Sequence, residues 1–272
     1  MKRAILSLLM NLMKSRCKLS SKIDNCLTRL HKEYENLDYD FYRNGEAAVL
    51  RTLADMQDFS TILDVGANEG NWSLLASKLF PQATIHSFEI FAETYNRLVE
   101  NCQHRENIVC HNVGLSDAEE TASVFFSPDK SGVATCVPNF SEQFHNYQPQ
   151  TFEAEVSIGD MFCANKGIKT IDFLKIDVEG YEHKVLKGFE GMLKTGNIKI
   201  IQFEYGYINI DTHFLLKDFY DYLGAFEIRI GKIYPSYVDF REYRRSDENF
   251  YGPNYLAVHS SCRIFVDALG YH

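Results

Sequence analysis

The chain contains no apolar run approaching 18 of its 272 residues, so no segment reads as a membrane-spanning helix. Its seven cysteines (Cys17, Cys26, Cys102, Cys110, Cys136, Cys163 and Cys262) form no CxxC pair, and no histidine sits near them at zinc-ligand spacing. An odd number of scattered thiols in a chain this long reads as half-buried residues of a reducing compartment, and the cytoplasm is the expected location. Basic residues are outnumbered, 28 Lys and Arg against 37 Asp and Glu, for a formal net charge of −9. The electrostatic footprint of a general nucleic-acid binder is therefore missing, whereas a cationic ligand is compatible with this balance. Internal repeats and low-complexity tracts are also absent. With 45% hydrophobic, 24% charged and 14% aromatic residues, disorder, a collagen-like chain and a coiled coil are excluded.

What remains is a globular chain able to bury most of its apolar surface in one large domain with appendages. The first 22 residues stand apart. They carry Lys2, Arg3, Lys14, Arg16, Lys18 and Lys22 with no acid, a local +6 that leaves −15 on the rest. Ile5, Leu6, Leu8, Leu9, Leu12 and Met13 lie between these charges at near-helical spacing. Three readings stay open: a helix that packs on its own domain or frays, a basic amphipathic helix making peripheral contact with an anionic membrane, and a signal peptide. The last lacks a small-x-small cleavage site.

Residues 44–56 read as an amphipathic helix. Beyond them, β-rich runs at 61–65, 83–89, 107–113, 171–178, 198–204, 225–230 and 254–259 alternate with stretches of helical period at 71–80, 92–103, 182–193 and 214–224. That alternation predicts an α/β fold, a mostly parallel sheet with helices on both faces. Its ligand should lie at the carboxyl ends of the strands, near the point where strand order reverses. We expect a helical extension over 1–43 and a main domain over 44–272. Residues 127–150 lack periodicity and hold three of the six prolines, so they read as a lid-like loop.

The turn Asp64-Val65-Gly66-Ala67-Asn68-Glu69-Gly70-Asn71 follows a predicted strand and opens a helix. Gly66 and Gly70 permit a tight turn and close backbone approach. The spacing is GxxxG, neither the GxGxxG of dinucleotide folds nor a phosphate loop. Acidic and amide side chains crowd it, which suits a ligand with an ammonium and a sulfonium better than a pyrophosphate. Glu89 ends the next strand, where an acid takes both hydroxyls of a ribose. Asn112, at the end of the third, is placed to hold an adenine edge. Asp177 and Glu179 close the strand at 171–178, and Glu204 closes the one after it. Acids at successive strand ends converge, so burial beside like charges should raise one of their pKa values and let it take a proton from a hydroxyl. Asp177 and Glu204 are the favoured bases, with His183 a third candidate. Phe203 and the nine tyrosines from Tyr205 to Tyr255 suit either a sugar ring or a core, and Arg241, Arg244 and Arg245 suit an anionic acceptor or a solvated face.

Together DVGANEG, the SFE strand end, NVGLSD and FLKIDVEGYEHKVLKG resemble the FkbM family of S-adenosylmethionine-dependent methyltransferases, over roughly residues 60–206. The resemblance implies a class I methyltransferase (Rossmann-like) fold with a seven-stranded mostly parallel sheet, and O-methylation of a hydroxyl on a sugar, glycan or related metabolite. By motif position, Asp64, Gly66, Asn68 and Gly70, with Asn71 beside them, border the methionine moiety of the cofactor. Glu89 takes its ribose and Asn112 its adenine, while Asp177 to Gly180 face the transferred methyl. A divalent metal on Asp177, Glu204 and a third oxygen is compatible with some class I O-methyltransferases. The competing readings are a nicotinamide-dependent oxidoreductase and a non-catalytic cofactor-binding module.

Overall fold

Strand β1, Thr61–Val65, is almost wholly buried, and its neighbours in the sheet account for that. It pairs in parallel with β2 (Thr84–Phe88) on one side and β8 (Ile171–Ile176) on the other. The computed structural model describes residues 2–127, 130–138 and 150–271. Strand β3, Ile108–His111, extends the sheet beyond β2, and β9, Ile198–Glu204, extends it beyond β8, both in parallel. Past β9 the sheet turns antiparallel through β12 (Asn254–His259), β10 (Ile228–Tyr234) and β11 (Tyr237–Phe240). The order is β11-β10-β12-β9-β8-β1-β2-β3. The main sheet thus has eight strands among the described residues, one more than expected. The extra one is β11, joined to β10 by a short hairpin that lies between the strand runs at 225–230 and 254–259.

Successive residues of the central strands serve opposite faces of the sheet. Leu63 and Val65 of β1, Leu174 and Ile176 of β8, and Ile201 and Phe203 of β9 enter one apolar layer. Ile62, Phe173 and Ile200, from the same strands, enter the other. The helix expected at 182–193 is divided at the fully buried Phe189, into Glu182–Gly188 and Glu190–Lys194.

A second sheet was not anticipated. Strands β4 (Gly114–Ser116), β5 (Glu120–Ser127), β6 (Lys130–Thr135) and β7 (Gln150–Ile158) form it in the order β4-β7-β5-β6. Its inner face carries Phe126 and Phe152, whose ring centroids lie 4.6 and 5.0 Å from that of Phe91. The lid-like loop expected at 127–150 is therefore interrupted by a strand at 130–135, while residues 139–149 fall outside the described residues.

Two helices, Lys2–Lys14 and Lys18–Tyr34, occupy the N-terminus. The segment after them is bound to the main body. Glu35 Oε2 lies 2.6 Å from the buried Lys232 ammonium, and the Asn36 amide donates to the carbonyls of Asn44 (2.7 Å) and Ile233 (2.9 Å). Among the described residues, no helix is long and apolar enough to cross a membrane.

Candidate active site

The chain runs outward from β1 to β3 and returns on the other side of β1 to form β8, so a crevice opens between the β1 and β8 carboxyl ends. A cavity of about 670 Å³, within the range that holds a cofactor-sized ligand, fills it. The turn after β1 forms one wall. Gly66 has φ +83°, and a Cβ there would sit 1.8 Å from the Asp177 carbonyl oxygen, so only glycine lets the two strand ends meet. The Gly66 and Ala67 N–H groups donate to the Phe88 carbonyl at 3.0 and 2.8 Å, and the Asp177 N–H donates to that of Val65 at 2.9 Å. Three strand ends are thereby fixed to one another.

Glu89 is buried beside this turn and lines the cavity. Its Oε2 accepts the Asn68 N–H at 3.0 Å and its Oε1 the Phe91 N–H at 2.8 Å. Burial pushes its carboxyl pKa up, and these backbone donors partly oppose that. Each oxygen keeps capacity for a further donor such as a hydroxyl.

The opposite wall is acidic. Asp177, Glu179, Glu182 and Glu204 all line the cavity. The Lys175 ammonium, buried beneath, lies 3.0 Å from Asp177 Oδ2 and 3.4 Å from Asp64 Oδ1. Glu179, at φ +54°, is raised by burial and by the charges of Asp177 and Glu182. Glu182 is 1% exposed; its Oε1 accepts the N–H groups of Val178 and Gly180 at 3.1 Å each, whereas Oε2 has no partner. Burial pushes it up to about 7. Glu204 stands well above the usual carboxylate range, through burial and then the charges of Asp177, Glu179, Glu182 and Glu46.

Of the residues expected from the sequence, the cavity brings together Gly66, Asn68, Glu89, Asp177 and Glu204. The others lie elsewhere. Asp64 is fully buried behind the turn, where its Oδ2 accepts the Ser73 hydroxyl at 2.6 Å and so ties the turn to the following helix. Gly70 packs against helix Ala92–Cys102, since a Cβ there would meet Leu98 at 2.6 Å; the close approach it permits is to the protein itself. Asn71 is exposed at the start of helix Asn71–Leu79. The Asn112 amide donates to the carbonyls of Glu89 (2.8 Å) and Ile90 (3.3 Å), bracing the loop after β2, and its neighbour Val113 lines the cavity. His183 stacks on Phe214 at 4.7 Å outside the cavity lining, and burial lowers its pKa to about 4. The His183 ring so placed faces Phe214 rather than the cavity.

The aromatic region divides similarly. Tyr205 and Tyr207 line the cavity, while Phe203, Tyr220 and Tyr255 belong to the core. Arg241 is engaged by Asp239 at 2.6 Å and Asp247 at 2.9 Å, and none of the three arginines lines the cavity. Among the described residues, no group of three His, Cys, Asp or Glu side chains is arranged to hold a metal ion. Two lining residues went unnoticed in sequence: Tyr39 reaches the cavity from the N-terminal segment, and Glu182 follows Gly180 by two residues. Glu46, whose charge acts on Glu204, is buried outside the lining with Asn44, Asn254 and Gln202 donating to it. A third acid in the run DVEGYE was the available signal for Glu182.

Comparison with known proteins agrees with this arrangement. Residues 64–229, more than half of the chain, match the Methyltransferase FkbM domain. Methyltransferase 1 of Beauveria bassiana is 27% identical over 153 residues, covering 51% of this chain and 61% of that protein. The hexuronic acid methyltransferase AglP of Haloferax volcanii is 27% identical over 177 residues, covering 64% and 69%. The 2-O-methyltransferase NoeI of Sinorhizobium fredii is 25% identical over 138 residues, covering 47% and 56%. The chain thus spans some three fifths of the length of the relatives it matches. With its model spanning β1 to β10 and both walls of the cavity, the chain belongs to the FkbM methyltransferase family.

Proposed function

We propose that this protein transfers a methyl group from S-adenosylmethionine to a hydroxyl of a sugar, glycan or related metabolite, and that the acceptor carries no negative charge. The observation that carries this reading is the single cavity joining the Gly66–Asn68 turn and Glu89 to the carboxylates of Asp177, Glu179, Glu182 and Glu204. Among its described lining residues Lys184 is the one cation, and its ammonium lies 4.5 Å over the Tyr181 ring. A carboxylate or phosphate on the acceptor would meet the Asp177 charge and a wall of buried acids disposed to stay protonated, with no lining cation but Lys184, so the uronic substrate in the name of the Haloferax relative is a poor analogue here.

The turn at Gly66–Asn68 and Glu89 would hold the cofactor, with Val113 and Leu115 offering apolar contact to a base. When bound, S-adenosylmethionine supplies an electrophilic methyl group on a sulfonium. The chain's own task is then alignment, exclusion of water and removal of one proton. Glu204, raised well above the usual carboxylate range by burial and by the neighbouring acids, is disposed to keep its proton and to donate to an acceptor oxygen. Asp177, whose Oδ2 is held by Lys175, receives the hydroxyl proton. Tyr39, Tyr205 and Tyr207 offer apolar faces to a ring, and the Tyr205 hydroxyl is already committed to Glu248 at 2.5 Å. The seven free thiols fit a reducing, cytoplasmic setting. A nicotinamide reading has neither the GxGxxG turn nor the family match behind it.

The test is a screen of neutral and anionic saccharides with methyl-labelled cofactor, followed by Asp177→Asn on the acceptor found. Turnover should fall by about 10²–10⁴-fold, the usual worth of general-base catalysis, with S-adenosylhomocysteine affinity retained. A preference for uronic or phosphorylated acceptors, or wild-type turnover in Asp177→Asn, would refute the respective half of the reading.

A further inference from the structure

The helix Lys18–Tyr34 presents an apolar stripe that the described residues leave largely uncovered. Leu19, Ile23, Leu27, Leu30 and Tyr34 recur at steps of three and four residues, which places them along one side of a helix about 26 Å long. The preceding helix, Lys2–Lys14, adds Leu6, Leu9 and Met10. The six leucine and methionine side chains in this set are between 46% and 61% exposed. On the other side the second helix is seated on the body, where the His31 ring meets Tyr251 edge-on at 5.6 Å and the Lys32 ammonium lies 5.8 Å from the same ring. The stripe therefore faces outward from a helix whose C-terminal end is anchored.

Charge decides what can cover such a face. Residues 1–34 hold eight Lys and Arg against Asp24 and Glu33, a net +6 on a chain of net −9. Lys18, Lys22 and Arg29 each immediately precede a stripe residue, Leu19, Ile23 and Leu30, so they flank the stripe about 100° around the helix. There their stems can lie along apolar material while the charged ends reach outward. The same face of a second copy of this chain would bring +6 against +6. A bilayer bearing anionic headgroups accepts both the apolar stripe and its basic flank.

We propose that the two N-terminal helices form a docking surface for an anionic lipid bilayer, lying in the plane of the interface with the Leu19–Tyr34 stripe inserted. The experiment uses the full chain with vesicles of phosphatidylcholine alone and of phosphatidylcholine with 30% phosphatidylglycerol, read by co-sedimentation. The protein should sediment with the anionic vesicles at least tenfold better than with the neutral ones, and the binding should fade as sodium chloride is raised, since exposed charges drive part of it. Leu27→Glu with Leu30→Glu, and separately Lys18→Glu with Lys22→Glu, should each lower partition at least tenfold. Both variants should keep the wild-type melting temperature and affinity for S-adenosylhomocysteine, because these residues are exposed and none of them lines the cavity. Failure of the full chain to bind anionic vesicles at low salt overturns the proposal. So does equal binding to neutral vesicles, or a light-scattering mass showing a dimer that Leu27→Glu with Leu30→Glu dissolves.

Discussion

Replacing Glu182 with glutamine probes the acidic wall without disturbing its shape. The carboxyl is 1% exposed, with Oε1 accepting two backbone N–H groups and Oε2 unpartnered. Glutamine keeps a carbonyl oxygen for the two donors and removes the titration. In the folded chain this carboxyl rises from an ordinary 4.5 to about 7. A carboxyl raised by folding contributes its stability at low pH, below its unfolded value. That contribution is lost as pH climbs through the folded value, because the native state must then bury a charge or retain a proton that the unfolded chain has released. At 1.36 kcal/mol per pH unit, the gap between the two values corresponds to about 3 kcal/mol, of which about 2.5 kcal/mol develops between pH 5 and pH 9. Urea unfolding of both proteins at pH 5, 6, 7, 8 and 9 measures it. Whatever offset the unpaired amide introduces at pH 5, the difference in unfolding free energy should move by about 2.5 kcal/mol in favour of Glu182→Gln by pH 9. Stability curves that run parallel over that range would show that Glu182 titrates normally and that the wall is wetter than its burial indicates.

Glu89→Gln keeps an acceptor for one of the Asn68 and Phe91 N–H groups, sets its NH2 against the other and loses the charge, so calorimetry should find S-adenosylhomocysteine bound several-fold to a hundredfold more weakly, the worth of one or two charge-assisted hydrogen bonds. His183→Phe retains the stacking on Phe214 and removes the imidazole; turnover within twofold of wild type is expected, and a pH profile altered by this change would return the histidine to the mechanism. Gly66→Ala places a Cβ 1.8 Å from a backbone oxygen at φ +83° and should cost about 3 kcal/mol or more, read as a large fall in melting temperature or as insoluble protein.

The strand ends were legible in the sequence because two independent signals coincided there. Periodicity located β1, β2, β8 and β9, and the residue closing each apolar run, or lying one position beyond it, was an acid or a glycine. Gly66, Glu89, Asp177 and Glu204 were found in this way, and each lines the cavity. Asp64 and Gly70 were identified as important but assigned to a ligand, because a turn motif does not reveal that Ser73 and Leu98 lie across it. Tyr39 could not be read at all: it precedes β1 by more than twenty residues, and it reaches the cavity only because Glu35 and Asn36 anchor the chain on β10. The second sheet escaped for a different reason. Strand β7, Gln150–Ile158, mixes exposed and half-buried positions with just one buried residue, Val156, which leaves little hydrophobic period to detect.

The contact between Gly66 and the Asp177 carbonyl has a consequence for biogenesis. The two turns are separated by more than a hundred residues of chain, yet neither has its shape without the other. A nascent chain that has emerged only as far as β7 holds the glycine turn and Glu89 but lacks the backbone against which that turn is pressed. Cofactor-binding competence should therefore arise late and abruptly during synthesis, when β8 inserts beside β1, a pairing of high sequence separation that is costly to close. Until then the side of β1 that β8 will cover is an open strand edge, and the interval before β8 arrives is when this chain is most exposed to misassembly.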